Sequence, residues 1–493
     1  MGPLVMSIDA GTTGVTVLLV SAEGNPVAKA YREFPQHFPR PGWVEHDPEE
    51  IFKAVSDAAR EASTDVAPGS LAALGITNQR ETTVVWDRQT LQPVHNAIVW
   101  QCRRSTGICD ELRGAGFEEA IRSRTGLVLD PYFSGTKLTW LMRTRDDLRR
   151  RAEAGELAFG TVDSWLMAKL TAGRVHATDV TNASRTLLFN IHDLRWDPEL
   201  LEILGVPESL LPEVLPSSHS YGLSDEAWLS YGPVPISGVA GDQQSALFGQ
   251  ACFEPGAAKN TYGTGSFVLA NTGGRSSSSR HGLLTTVAWG IEGKVTYALE
   301  GAIFVTGAAI QWLRDGLGII GQASETEPLA LTVPDAGGLH FVPALAGLGA
   351  PYWDPNARGA ITGITGGTGA AHLARAAVEA MAFQTKDVVD AMVADSGVGL
   401  KELKVDGGAS VMNLLCQFQA DLLGVPVVRP RFTETTAMGA AYLAGLAEGI
   451  WSGTADVATH WKLDRAFEPS MHSDEVAERY GAWKRAVESV RTR

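Results

Sequence analysis

An α/β fold in two domains with a cleft between them is what this sequence predicts, and three observations predict it. At 493 residues the chain exceeds what one hydrophobic core ordinarily supports, so two domains of about 200 to 250 residues are expected. A strand, Gly/Thr turn, strand pattern opens the chain at Leu4 to Val20 and returns at Ala258 to Ala270, as though both domains began alike. Between and after these hairpins, short apolar runs alternate with helical periodicity, the pattern of a sheet covered by helices. The stretch from Cys252 to Gly256, with Pro255, is the natural boundary and divides the chain into residues 1–251 and 252–493.

The elements follow in order. Leu4 to Val20 reads as two apolar β-rich runs around a polar tip, Asp9-Ala-Gly-Thr-Thr-Gly14. Asp47-Pro48-Glu49-Glu50 supplies an N-cap, a proline at the first helical position and early acids, so a helix starts there and buries Ile51, Phe52 and Val55. Leu403 to Ser410 reads as a strand entering a glycine turn, and Leu414, Leu415, Phe418 and Leu422 then recur at helical spacing. That order suits a phosphate or nucleoside at a helix N-terminus. Tyr480, Trp483, Val487 and Val490 mark a last amphipathic helix, Gly366 to Gly369 reads as a turn, and Ser276 to Ser279 as a mobile loop.

Composition narrows the function. With 44% apolar and 20% charged residues the chain can bury a large core and shows no bias to disorder. The 41 basic against 56 acidic residues give a net charge of -15, which argues against nucleic acid or an anionic membrane as partner. Any phosphate must then be held by local groups. Cys102, Cys109, Cys252 and Cys416 have no metal-ligand spacing and are too few for a disulfide framework. A reducing cytoplasm is the expected location, with neither signal peptide nor membrane span.

Three turns carry the chemistry. Asp9 to Gly14 sets an acid at a strand end beside a turn of backbone and hydroxyl donors, which can wrap a phosphate while the acid holds hydrated Mg²⁺; alone, it is equally an ordinary hairpin turn. Gly263-Thr-Gly-Ser266 and Asp406-Gly-Gly408 are similar turns, and three of them can converge on one nucleotide. No Walker P-loop is present. Arg80-Glu81, after the apolar run to Ile76, joins a cationic donor to an anionic acceptor, which suits vicinal hydroxyls; in isolation it reads as a surface ion pair. Asp242, flanked by small residues after Val234 to Ile236, can accept a hydroxyl proton as phosphorus is attacked, although a lone Asp there reads first as a helix N-cap. Glu45-His46-Asp47 reads as a solvated loop and not as a metal site.

Taken together, these segments resemble the FGGY carbohydrate kinase family over nearly the whole chain. The most specific stretches are Asp9 to Thr13, Gly42 to Asp47, Thr77 to Thr82, Trp100 to Arg104, Asp130 to Lys137, Gly241 to Gln250, Asn260 to Gly265, Gly347 to Asp354 and Asp406 to Gly408. The resemblance is strongest to members that phosphorylate glycerol. It implies two actin-like, ribonuclease H-like ATPase domains that close over ATP and glycerol, in a homo-oligomer. It implies that Arg80, Glu81, Tyr132, Asp242 and Gln243 bind the hydroxyls, with Trp100 and Phe267 against the carbon edge. Asp242 would be the base, with Asp9 and Asp242 near Mg²⁺. Thr12, Thr13, Gly14, Thr264, Gly307, Gln311 and Gly408 fall where the family contacts the nucleotide. An apolar wall with several fixed hydroxyl partners agrees with a three-carbon polyol, because a pentose needs more room and further polar contacts. Another small polyol or sugar is the nearest alternative. A non-catalytic actin-like ATPase is a second, but it has no use for Asp242 or for the Arg80-Glu81 pair.

Two departures stand out in the nucleotide segments, Thr16 where many glycerol-phosphorylating members have Arg, and Met412 where they have Asn. Both departures predict weaker or less selective nucleotide binding, because Thr16 lacks an Arg's charge and Met412 has a packing surface to offer the adenine but no amide hydrogen bonds. A third concerns regulation: Trp228 to Ser237 offers neither the Arg fork that binds fructose 1,6-bisphosphate in some relatives nor the histidine phosphorylated in others. Neither mode of control is expected.

Overall fold

The computed structural model describes residues 2–67, 69–229 and 232–492. Ser230 and Tyr231, within the stretch read for regulation, lie outside the described residues. Leu4–Ala10 and Gly14–Ser21 form the expected hairpin, with Leu4 opposite Ser21 and Ala10 opposite Val15. Pro26–Glu33 adds an antiparallel edge, while Leu71–Asn78 and then Pro235–Gly241 join in parallel on the other side. With Ser218–Leu223 these strands complete a six-stranded sheet. Asp47 caps the Pro48–Ala62 helix by accepting the Glu49 N–H at 2.8 Å, and the helix buries Ile51 and Val55.

The second sheet repeats the plan. Ala257–Tyr262 and Ser266–Gly273 form its hairpin, Lys294–Ile303 continues antiparallel, and Glu402–Gly407 and Val427–Pro430 add in parallel. Leu284–Ile291 and Leu463–Phe467 extend it at its two edges to seven strands. Every strand of the first sheet thus precedes residue 242 and every strand of the second follows residue 256.

The helices do not respect that division. Asp242–Gly249 leaves the last parallel strand of the first sheet yet packs on strands of the second. Thr435–Ala447 follows the last parallel strand of the second and lies across the first. One apolar cluster therefore draws on both sheets, joining Val5, Leu18 and Ala240 to Leu269, Ala298 and Leu443. The two helices cross at glycines: a Cβ on Gly249 would stand 2.0 Å from the Thr435 carbonyl oxygen, and one on Gly439 1.9 Å from that of Ser245. Only a residue without a side chain permits that approach.

Three expectations require correction. Glu45 and His46 are buried, not solvated, because they form a short strand against Ala97–Ile98 and His46 packs edge-on to Phe34. The loop at 276–279 is tied down: Asp395 accepts from the Ser279 hydroxyl at 2.5 Å, and Arg122 donates to the Ser279 carbonyl at 2.7 Å. Met412 is 7% exposed and belongs to the core under the second sheet, so it offers no face to an adenine. The other elements stand as read, including the Glu402–Gly407 strand, its glycine turn and the Asn413–Leu423 helix. The last helix, Ser473–Glu488, is anchored by Asp387, which accepts from Tyr480 at 2.7 Å and Trp483 at 2.8 Å. All four cysteines are free and buried, and among the described residues no helix is long and apolar enough to cross a membrane.

Candidate active site

Parallel strands end on the same edge of their sheet, and ligands of open α/β sheets collect at that edge. In the first sheet the turns after Leu4–Ala10, Leu71–Asn78 and Pro235–Gly241 carry Asp9 to Gly14, Arg80-Glu81 and Asp242. In the second, the turns after Ala257–Tyr262 and Glu402–Gly407 carry Thr264 and Gly408. Side chains from one edge meet those from the other, so the edges face each other across one site. Arg80 reaches Glu300 of the second sheet, Phe267 of the second sheet lies under the Arg80 guanidinium at 5.9 Å, and Lys259 donates to Gln243.

The side expected to hold the polyol is built from buried charge. Arg80 and Glu81 are 2% and 1% exposed, which excludes a surface ion pair. Nor are they each other's main partner, since the Arg80 Nε and the Glu81 carboxylate are 3.8 Å apart. Glu81 pairs instead with Arg185, at 2.7 Å. Arg80 directs Nη1 to Glu300 at 2.5 Å and holds Nε 3.1 Å from Asp242. Glu81 takes a left-handed backbone, φ +62°, uncommon for a residue with a side chain. Ser134 and Lys137 donate to its carbonyl at 3.0 and 3.2 Å while Arg185 holds its carboxylate, so the strained turn is fixed at both ends.

Each charge reflects these surroundings. Burial works against ionised Glu300, but the guanidiniums of Arg185 and Arg80 outweigh it and bring its carboxyl down to about 2. For Asp242, burial wins over Arg80 and Lys259 and the carboxyl is raised. Asp9 is pushed up to about 8 by burial and by the nearby Asp242 and Glu434. Asp242 opens the Asp242–Gly249 helix instead of capping it, and its carboxylate is about a third exposed toward the cleft. Tyr132 and Trp100 meet edge to face at 5.5 Å and form an aromatic wall. Lys259 fixes Gln243 as well: an ammonium only donates, so the Gln243 carbonyl oxygen is committed to it and the amide N–H₂ is left free.

The side expected to hold the nucleotide is built from backbone. The two hairpin tips have the same closure, Gly11 N–H to Gly14 O at 3.0 Å and Gly263 N–H to Gly265 O at 2.8 Å. Thr13 and Thr264 are exposed at these tips, and Gly14 is buried beneath the first. Thr12 accepts from the Trp100 indole N–H at 3.0 Å, which joins the first tip to the apolar wall. The Thr264 carbonyl accepts from Thr306 and Ala308, both at 3.0 Å, and so seats the second tip on the Gly307–Asp315 helix, where Gln311 is exposed one turn further on. Gly408 is exposed with open space above its Cα. Asp406 beside it does not face the cleft: it accepts from Gln250 at 2.8 Å and Thr435 at 2.5 Å, fastening the helix crossing. Thr16 is directly opposite Asp9 in the hairpin, on the face that carries that carboxylate. Contacts join Arg80 to Asp242 and Phe267, and Trp100 to Tyr132 and Thr12, while Thr264, Gly307, Gln311 and Gly408 stand at the turns of the second sheet. Glu300, Arg185, Lys137 and Lys259 were missed.

Comparison with known proteins agrees with this geometry. Residues 4–249 match the N-terminal domain and residues 258–448 the C-terminal domain of the FGGY family of carbohydrate kinases. The chain is 58% identical over 485 residues to glycerol kinase 2 of Thermotoga maritima, covering 98% of both chains. It is also 58% identical over 489 residues to glycerol kinase of Carboxydothermus hydrogenoformans, covering 99% of this chain and 98% of that one. The crystal structure of Plasmodium falciparum glycerol kinase with ADP superposes with a TM-score of 0.94 at 35% identity, covering 99% of this chain and 98% of that one. A gluconate kinase from Lactobacillus acidophilus shares the fold, with a TM-score of 0.89 at 22% identity and 99% and 97% coverage. With both domain types matched in order across the two sheets, the chain belongs to the FGGY family of carbohydrate kinases.

Proposed function

We propose that this protein transfers the γ-phosphate of ATP to a primary hydroxyl of glycerol, giving sn-glycerol 3-phosphate and ADP. The observation that carries this reading is the site in which buried Arg80 and Glu81 gather with Asp242 and Gln243 beside the aromatic surfaces of Trp100, Tyr132 and Phe267, one hydrogen bond from the first hairpin tip. Relatives more than half identical over the full length are glycerol kinases, which supports the same choice.

In this reading Arg80 donates to, and Glu81 accepts from, the vicinal hydroxyls. The Asp242 carboxylate accepts the proton of the attacking hydroxyl as its oxygen bonds to the γ-phosphorus and the bond to ADP breaks. Burial raises the basicity of that carboxylate, and the partial exposure of Asp242 gives the hydroxyl access to it. Thr12, Thr13, Gly14 and Thr264 offer backbone and hydroxyl donors to the phosphates, and Gly307, Gln311 and Gly408 border the rest of the nucleotide. Asp242 and Glu434 both add to burial in working against an ionised Asp9, so the site suits a cation. Among the described residues no three ligand side chains converge, which fits Mg²⁺ held by Asp9 and Asp242 largely through water. When bound, the ion neutralises charge on the transferring phosphoryl group. We assign the polyol groups to an N-terminal domain, residues 1–251, and most nucleotide contacts to a C-terminal domain, residues 252–493.

The test is ADP release measured over glycerol, dihydroxyacetone, erythritol and xylulose. The highest kcat/KM belongs to glycerol; a clear preference for a four- or five-carbon substrate would overturn the assignment.

A further inference from the structure

We propose that Glu300 is a positioning residue of the polyol site, supplied by the second sheet: it takes the terminal guanidinium nitrogens of Arg80 and leaves only the Nε edge facing Asp242. The inference rests on the polyol reading above and goes beyond it, because Glu300 itself is fully buried and touches no substrate. It lies in the middle of Lys294–Ile303, at 2.5 and 3.2 Å from Nη1 and Nη2 of Arg80 and 2.9 Å from Nη2 of Arg185. Both arginines come from the first half of the chain, so one carboxylate of the second half fixes two cations of the first.

The charges show why this matters. Glu81 serves Arg185, and Gln244 is a neutral acceptor for Arg80 at 3.2 Å. Were Glu300 neutral, the nearest carboxylate left to Arg80 would be Asp242, already 3.1 Å from Nε. Turning the fork onto Asp242 would give the favoured bidentate pair. That pair would occupy the oxygens offered to a hydroxyl and withdraw the donors offered to glycerol. Lys259, the other cation facing Asp242, is held by Gln243 and Thr261 and cannot replace Glu300 as a carboxylate.

The experiment is a double-mutant cycle on the full-length protein with glycerol and ATP varied separately. Glu300→Gln keeps the shape and one acceptor, and is expected to lower kcat/KM for glycerol by about 100-fold while the ATP KM stays within about twofold. Because Arg185 keeps a second carboxylate, Glu81, the effect of Glu300 runs through Arg80, and Arg80→Ala/Glu300→Gln should be within about threefold of Arg80→Ala alone. Should Glu300→Gln not fold, Glu300→Asp, which keeps the charge but withdraws it by one methylene, is read in the same cycle. Effects that multiply, an equal rise in the ATP KM, or a kcat/KM within about threefold of wild type would overturn the proposal. Wild-type turnover of glycerol in the same assay separates this outcome from failure of the functional reading.

Discussion

The two sides of the cleft are made of different material. On the polyol side, Arg80, Glu81, Arg185 and Glu300 are buried to within 2% of full coverage and paired, Arg80 to Glu300 and Arg185 to Glu81, beside a partly exposed Asp242. On the nucleotide side, glycine and threonine turns present backbone groups, and Asp406, the acid of the Asp406 to Gly408 turn, is spent on the helix crossing. A buried charge that loses its partner is costly, whereas a backbone donor survives most substitutions nearby. The polyol side should therefore fail abruptly on mutation and the nucleotide side by degrees.

The largest effect is expected at the reacting group. Asp242→Asn retains the fold and ADP binding but lowers kcat by about two to four orders of magnitude, the scale of a lost general base. More than about a tenth of wild-type kcat in a steady-state assay would remove Asp242 from that role. Next comes Arg80→Ala, which leaves Glu300 with Arg185 as its one guanidinium partner and removes donors to the hydroxyls, so the glycerol KM rises at least about tenfold. A glycerol KM unchanged in initial-rate measurements would break the contrast between the two sides.

The helix crossing belongs to neither side, and its glycines test whether both depend on it. Gly439→Ala forces a methyl into the Ser245 backbone, at a cost of about 1 to 3 kcal/mol for overpacking. Thermal denaturation should show a clear fall in Tm, while Gly366→Ala, with open space around it, should show none. Equal Tm values would mean that the crossing yields easily. The smallest effect is expected on the nucleotide side: Thr16→Arg, on the Asp9 face, adds a charge-assisted contact to the phosphates and should lower the ATP KM and the ADP dissociation constant by about tenfold. If neither falls in a properly folded variant, position 16 does not face the phosphates.

What the sequence revealed and what it hid follow the same division. Both hairpins, the Asp47 cap and the Glu402–Gly407 strand with its glycine turn were legible because each depends on residues adjacent in the chain. Arg80, Glu81 and Asp242 were legible as candidates, but their pairing was not, since Arg80 and Glu300 are separated by 220 positions. A signal was present all the same. Glu300 interrupts the apolar run Tyr297-Ala-Leu-Glu-Gly-Ala-Ile303, and a carboxylate inside a buried strand must have a cation opposite it. Lys259, within Ala257–Tyr262, carries the same signal. The placement of Met412 went wrong because motif spacing fixes position along the chain and not the direction of a side chain, and at 412 that direction is into the core. The exchange of helices between the sheets left no local trace beyond glycines in two apolar helices.

The most direct measurement of the central claim is the identity and stoichiometry of the product. Wild-type protein given ATP, Mg²⁺ and glycerol should form one sn-glycerol 3-phosphate for each ADP, as read by phosphorus NMR alongside an enantiospecific dehydrogenase assay. ADP formed at the same rate without any polyol would contradict the account, because the buried charges of the first sheet would then serve no acceptor.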